Sequence, residues 1–146
     1  MTEGPVVERV EVPVLYVRTR GGAAAASIGF ALLEGAVGRA RLFYGWELDD
    51  EFRACVVRAA GDDPAALGLD EGLLPAGPWA VARHEGPVES VAETFAFLAR
   101  RHVVDRTRPR LQEFRGGGEV WVYLPITAGT RGASERVGLD MAPLSE

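Results

Sequence analysis

An internal repeat constrains the fold of this chain more than any other feature of its sequence. Residues 17–21 (VRTRG) align with residues 82–86 (ARHEG), 65 positions further along, and the same offset places Phe30 on Phe95 and Leu33 on Leu98. Two copies of this length do not make a solenoid, which stacks several short units. They predict a domain with pseudo-two-fold symmetry, in which each helix buries an apolar stripe on a sheet.

The first copy, unit one, spans residues 6–58 and contains a strand, a helix and a hairpin. These elements are predicted at residues 6–18, 23–39, 41–46 and 52–58. Apolar residues of the helix recur every three to four positions, which predicts a buried stripe. The stripe consists of Ile28, Ala31, Leu32 and Gly35.

The second copy, unit two, spans residues 72–126 and repeats this order. Its strands are predicted at residues 78–85, 111–115 and 119–126. Its helix follows Gly86 and Pro87 and has the clearest amphipathic pattern of the chain. The apolar face of that helix consists of Val88, Val91, Phe95, Leu98 and His102.

Together the two units predict an α+β fold for a single domain, residues 1–126. The units are expected to form one antiparallel sheet with both helices on one face and a ligand cleft between the units. Residues 61–77, rich in Gly, Pro and Asp, are expected to cross between the units without regular structure. Residues 127–146 are expected to form a tail.

Composition argues against several classes of function. The single cysteine, Cys55, cannot form an internal disulfide, and no secretory h-region or membrane-length apolar run is present, so we expect a cytoplasmic protein without membrane contact. The net charge of −5 argues against direct nucleic-acid binding, which needs a basic surface. Residues at metal-ligand spacing and a dinucleotide fingerprint are both absent, so we expect neither a metal nor another cofactor.

Two segments of unit two resemble a known family. Residues 74–87 read LPAGPWAVARHEGP, with an Arg-His-x-Gly-Pro element at Arg83, and residues 122–126 read VYLPI. This pattern resembles the GyrI-like small-molecule-binding family, which also occurs as the effector domain of multidrug-sensing transcription regulators. The likeness extends over residues 6–126 and implies two pseudo-symmetric units with a ligand pocket between them.

The resemblance also implies a site. In drug-sensing relatives the pocket stacks flat, often cationic molecules between aromatic rings around a buried glutamate, and Glu113 in LQEFR takes that position here. Where the family often has a second acid, this chain has Trp121, and Trp46 stands where tyrosine is common. The implied pocket is therefore more aromatic and less acidic than a typical multidrug pocket, which makes a neutral planar ligand more plausible.

Aromatic residues on the strands complete the predicted site. Tyr44 and Trp46 share one face of their strand, and Trp121 and Tyr123 share one face of the last strand, where a ring with a polar group suits a groove wall. We predict a ligand-binding set of seven residues: Tyr16, Tyr44, Trp46, Phe95, Glu113, Trp121 and Tyr123.

Three functions fit these observations. The first is a stand-alone protein, with no room for a helix-turn-helix before residue 6, that binds planar aromatic compounds, cationic or toxic ones among them. The second is a hydrolase of strained, cyclopropane-bearing alkylating compounds, as some stand-alone relatives are, with Glu113 as general base and Tyr123 polarising the leaving group. The third is a protein-binding inhibitor of DNA gyrase; haem binding is weaker because neither histidine falls in the expected cleft. Exposed edge strands leave homodimerisation open.

Overall fold

The computed structural model describes residues 2–21 and 23–127, and the tail predicted at 127–146 lies outside this range beyond Thr127. Eight strands and three helices make up the described chain. The strands are β1 (Thr2–Arg9), β2 (Val12–Arg20), β3 (Phe43–Leu48), β4 (Glu51–Val57), β5 (Asp70–Leu74), β6 (Gly77–His84), β7 (Arg110–Phe114) and β8 (Val120–Pro125). The helices are α1 (Ala23–Val37), α2 (Pro64–Leu67) and α3 (Val91–Ala99), the last preceded by a 3₁₀ turn at Val88–Ser90.

All eight strands form one antiparallel sheet in the order β1-β6-β8-β7-β3-β4-β2-β5. The strands of one copy occur in the reverse order of the equivalent strands of the other copy, on either side of the β7–β3 pair. The two copies therefore join where β7 pairs with β3, and each of these is the first strand of its copy's hairpin. The leading strand of each copy pairs with the other copy: β1 pairs with β6, and β5 pairs with β2. The predicted α+β fold with duplicated units in one antiparallel sheet is confirmed.

The sheet curls so that one face is concave. Strand β1 lies at one edge and β2 lies next to the other edge, yet only Val10 and Glu11 connect them. Three residue steps span at most about 11 Å, so the two ends of the sheet must approach each other. Pro75 and Ala76 make an equally short connection between β5 and β6. The concave face is therefore enclosed by the sheet itself.

Both long helices pack on one face of the sheet, as predicted, and this is the convex face. The residues that anchor the two helices occupy equivalent positions in the repeat. Leu33 of α1 and Leu98 of α3, which the 65-residue offset aligns, are both 0% exposed. The aligned glycines Gly21 and Gly86 both have φ of +108°, a conformation that glycine adopts without strain. The same turn thus leads from strand to helix in each copy. None of the helices in the described ranges is long and apolar enough to span a bilayer.

The predicted buried stripe of α1 is wrong. Ile28 and Leu32 are each 59% exposed, and the helix packs through the neighbouring stripe of Gly29, Phe30 and Leu33 instead. A Cβ on Gly29 would lie 3.4 Å from the side chains of both Ala54 and Thr19. The helix thus lies close to the sheet at Gly29, within the stripe that is buried. Val88 of unit two, 43% exposed, also leaves its predicted stripe because it lies in the 3₁₀ turn.

Two further segments differ from their predictions. The strand predicted at residues 6–18 is two strands, because β1 pairs with β6 whereas β2 pairs with β4 and β5. The linker predicted at residues 61–77 contains α2, whose Asp63 accepts from two backbone N–H groups, and the edge strand β5. The break between β1 and β2 and the strand β5 depend on pairing with the other copy, which no local pattern records, whereas Asp63 and Pro64 are a local start signal for α2.

Candidate functional site

The aromatic residues divide cleanly between the two faces of the sheet. All six side chains that carry a polar group lie on the concave face: Tyr16, Tyr44, Trp46, Trp79, Trp121 and Tyr123. All six phenylalanines lie on the helix-bearing face: Phe30, Phe43, Phe52, Phe95, Phe97 and Phe114. Tyrosine and tryptophan suit surfaces that need both an apolar ring and a hydrogen bond, whereas phenylalanine only fills space. The concave face thus has the composition of a binding surface.

A buried carboxylate lies at the centre of this face. Strand register places Glu113 between Tyr44 on β3 and Trp121 on β8, and the residue is only 5% exposed. Its Oε2 accepts a short hydrogen bond from the Tyr44 hydroxyl, and its Oε1 accepts from Tyr123 Oη at 3.1 Å and from Arg115 Nε at 2.6 Å. Both carboxylate oxygens are therefore engaged within the protein.

A second guanidinium reaches the same carboxylate from the edge strand. Arg9 of β1 lies 4.0 Å from Glu113 Oε2 and donates to Tyr44 Oη at 3.2 Å. Its guanidinium carbon lies 5.0 Å from the centre of the Tyr123 ring and 5.9 Å from that of Tyr44. Arg9 therefore occupies the space in which a cation would contact both the rings and the carboxylate.

Arginines cover the other rings of the concave face as well. Each of the four remaining rings has a guanidinium carbon within the range of a cation–π contact. These pairs are Arg53 with Tyr16 at 4.4 Å, Arg53 with Trp46 at 4.0 Å, Arg108 with Trp79 at 4.7 Å and Arg115 with Trp121 at 4.3 Å. The face is consequently closed by side chains of the protein itself.

The charges of the site follow from these contacts. Burial alone would raise the pKa of Glu113, but the hydrogen bonds from Tyr44, Arg115 and Tyr123 outweigh it and lower the pKa below its usual value. Burial and the neighbouring carboxylate raise the pKa of Tyr44 and of Tyr123. At neutral pH the centre therefore holds a carboxylate, two protonated phenols and two guanidinium groups.

Open space lies on the other face. A cavity of about 460 Å³ lies beside α3, and one of about 310 Å³ lies between α1 and the start of α3; both are lined by residues of both units. Neither is lined by Glu113, Tyr44 or Tyr123. On the concave face a space of only about 10 Å³ borders Arg9 and Trp79. The cleft predicted between the units is thus filled by side chains on the side where the aromatic site forms.

The structure brings together six of the seven predicted ligand-binding residues. Phe95 lies apart, because α3 packs on the convex face and buries this ring between the helix and the sheet, beneath Arg110 at 4.4 Å. Five residues of the site were not predicted from the sequence: Arg9, Arg53, Trp79, Arg108 and Arg115. Alternation along a strand places Arg115 on the face of Glu113 and could have revealed it. Arg9 carries no such signal, because no sequence pattern marks the break between β1 and β2.

The Arg-His-x-Gly-Pro element forms a turn rather than a site. The His84 ring is buried, donates from Nε2 to the Pro87 carbonyl at 2.7 Å, and shares a hydrogen bond of 2.7 Å between Nδ1 and the Thr94 hydroxyl. It thus ties the end of β6 to the start of α3. Cys55 is a buried thiol, and burial raises its pKa to about 12. Among the described residues, no cluster of His, Cys, Asp and Glu could hold a metal ion.

Solved structures share this architecture, although the chain matches no protein-family model and no curated protein. The C-terminal domain of EcmrR is 12% identical, with 87% of this chain and 99% of that one covered and a TM-score of 0.62. SAV2435, determined bound to tetraphenylphosphonium, is 14% identical over 88% and 95% of the two chains, with a TM-score of 0.57. A hydrolase from Listeria innocua is 14% identical over 84% and 90%, with a TM-score of 0.52. The chain has the fold of these proteins, as the resemblance to GyrI-like small-molecule-binding domains predicted.

Proposed function

We propose that this protein binds a small aromatic molecule on the concave face of the sheet, at the site centred on Glu113. The observation that carries the proposal is the placement of all six tyrosine and tryptophan side chains on the face that also carries the buried carboxylate. A fold that needed only a stable core would not require the polar groups of these rings, because phenylalanine fills the opposite face. The likeness to a protein determined with a tetraphenyl compound supports this assignment.

Binding at this site requires arginine side chains to move. The side chains of Arg9 and Arg115 are 29% and 41% exposed, so both can rotate outward without unfolding a strand. Such movement uncovers the rings of Tyr44, Tyr123 and Trp121 from the solvent side. The ligand then replaces a guanidinium on each ring that it covers, and the strands stay in place.

Calorimetric titration with three tricyclic probes tests the proposal: xanthone, which is neutral, rhodamine 6G, which is cationic, and fluorescein, which is anionic. All three tryptophans line the concave face, so tryptophan emission provides a second readout of binding at this site. A ring–ring contact contributes about 0.5–1.5 kcal/mol beyond buried area. Trp121→Leu is therefore expected to weaken binding about two- to tenfold.

Phe97→Leu is the matched control, because Phe97 is also a half-buried ring stacked with an arginine but lies on the opposite face. It is expected to leave the affinity unchanged. If none of the three probes binds, or if Phe97→Leu weakens binding as much as Trp121→Leu, the proposed site is wrong.

Hydrolysis is a second candidate function, favoured by the hydrogen bond between the Tyr123 phenol and the Glu113 carboxylate. A carboxylate that stays deprotonated can accept a proton from an attacking water, and an adjacent phenol can donate to a leaving group. Incubation with a cyclopropane-bearing alkylating compound, followed by mass spectrometry, tests this function. Glu113→Gln is expected to abolish the product while the compound still binds, and turnover by that variant at the wild-type rate would refute the mechanism.

A further inference from the structure

We propose that the site selects aromatic ligands bearing an anionic or hydrogen-bond-accepting group, such as a carboxylate, phenolate or sulfonate, over aromatic cations. The inference rests on the proposed function and assigns the ligand class of the same site. The hydrogen-bonding groups and charges that surround Glu113 carry it.

The carboxylate that would attract a cation is already engaged by groups of the protein. Its two oxygens accept from Tyr44, Tyr123 and Arg115, and Arg9 lies 4.0 Å away. An ionised carboxylate offers about four acceptor sites in all. Any ligand moves the guanidiniums off the rings, but a cationic ligand would also have to replace them at the carboxylate, where they are tethered to the chain and compete at a high effective concentration.

The centre of the site also carries an excess of positive charge. Arg9 and Arg115 stand against one carboxylate, Glu113, while the flanking Arg53 is paired with Glu51 at 2.6 Å and Arg83 with Glu85 at 3.1 Å. The local balance is thus opposite in sign to the net charge of −5 of the whole chain. A positive centre in a half-buried setting favours anions, because the surrounding low dielectric strengthens the attraction.

A buried donor points to the same ligand class. The indole Nε1–H of Trp79 is buried and has no hydrogen-bond partner among the described residues. Trp79 and Arg9 border the same small space, so an outward movement of Arg9 would enlarge that space beside the indole. A buried donor left unpaired is costly, and a ligand acceptor would remove that cost. The site thus offers donors from Arg9, Arg115 and Trp79, and its one carboxylate is already occupied.

Tetraphenylborate and tetraphenylphosphonium provide a direct test, because the two ions have nearly the same size and shape and differ in the sign of their charge. Isothermal titration calorimetry is expected to show tetraphenylborate binding about tenfold or more tightly, the scale of one net charge at contact distance near a protein surface. Arg9→Gln and Arg115→Gln are each expected to lower this ratio about fivefold or more. Arg9→Lys, which keeps the charge, is expected to preserve the preference.

Arg39→Gln is the matched control, because the Arg39 side chain is 86% exposed at the end of α1. It is expected to leave the ratio unchanged, and circular dichroism of each variant checks that it folds. Tighter binding of tetraphenylphosphonium by the wild-type protein would overturn the inference and leave the proposed binding site standing. An unchanged ratio in both glutamine variants would also overturn the inference. If neither ion and none of the three tricyclic probes binds, the proposed function is overturned as well.

Discussion

Replacing the buried carboxylate by an amide is the perturbation for which the structure gives the clearest magnitude. In Glu113→Gln the side-chain oxygen can still accept from Tyr123 and Arg115, but the amide nitrogen then faces the Tyr44 hydroxyl. An amide nitrogen cannot accept a hydrogen bond, so the proton of the Tyr44 hydroxyl loses its acceptor, while the hydroxyl oxygen still accepts from Arg9. One unpaired buried O–H costs about 1–3 kcal/mol. Loss of the charge that faces the part-buried Arg9 adds about 1 kcal/mol, since a surface-like pair is worth no more than that.

The free energy of unfolding is therefore expected to fall by about 2–4 kcal/mol in Glu113→Gln. With a urea m-value of about 2 kcal/mol/M, typical of a domain this small, the unfolding midpoint should fall by about 1–2 M. Equilibrium unfolding in urea at pH 7, followed by circular dichroism, measures this shift.

Glu119→Gln serves as the control, because Glu119 contacts Trp121 and Arg83 at the exposed rim of the same face. Its midpoint is expected to stay within about 0.3 M of wild type, as is usual for surface substitutions. If Glu113→Gln also stays within that range, the carboxylate does not hold the concave face together and the reasoning is wrong.

Three further predictions follow from the packing and the charges. The folded-state pKa of Glu113 is lowered, so the carboxylate's contribution to stability is complete above the unfolded pKa of about 4.3 and is lost as the pH falls below that value. The difference in urea midpoint between wild type and Glu113→Gln should therefore shrink below about pH 4. A difference that stays constant with pH would contradict this prediction. Leu33→Ala and Leu98→Ala remove equivalent, fully buried side chains and should each cost about 2.7–5 kcal/mol in urea unfolding; a cost below about 1 kcal/mol for either would refute the equivalence. Cys55 is fully buried and burial raises its pKa to about 12, so Ellman's reagent at pH 8 should label it only after urea is added, and rapid labelling of the native protein would show that the concave face opens readily.

The duplication could be predicted from the sequence because it repeats local chemistry. Gly21 and Gly86 make the same positive-φ turn, and Leu33 and Leu98 anchor the two helices, since equal spacing from the turn places them on equal faces. The packing face of α1 could not be predicted in this way. Alanine and glycine surround its larger apolar residues, so in the sequence the stripe of Ile28 and Leu32 is equivalent to the stripe of Phe30 and Leu33 that packs on the sheet.

No local sequence pattern predicts that the leading strand of each copy pairs with the other copy. Residues around Val10 and Glu11 continue a valine-rich sequence typical of a strand, and the chain turns there because β1 pairs with the other copy. Strand β5 is short and contains Asp70, Glu71 and Gly72, residues with low strand propensity. Its structure depends on pairing with β2.

Some residues of the candidate site could likewise be predicted from local pattern, and others could not. Alternation correctly placed Tyr44 with Trp46 and Trp121 with Tyr123, and residue resemblance pointed to Glu113, which is buried among them. Alternation alone did not show that a curled sheet would gather arginines from distant strands onto these rings. Arg9 in particular reaches Glu113 only because the two ends of the sheet approach each other.

Ligand binding on the concave face should be visible at the indole N–H groups of the three tryptophans. A ¹H–¹⁵N correlation spectrum contains one such signal each for Trp46, Trp79 and Trp121, all on that face. Titration with tetraphenylborate is predicted to shift these signals in a saturable manner, with the backbone amides of Tyr44 and Glu113 among the most affected. Unchanged indole signals, together with shifts confined to residues that line the two large cavities on the convex face, such as Ala96 and Ser27, would show that ligands bind on the convex face instead.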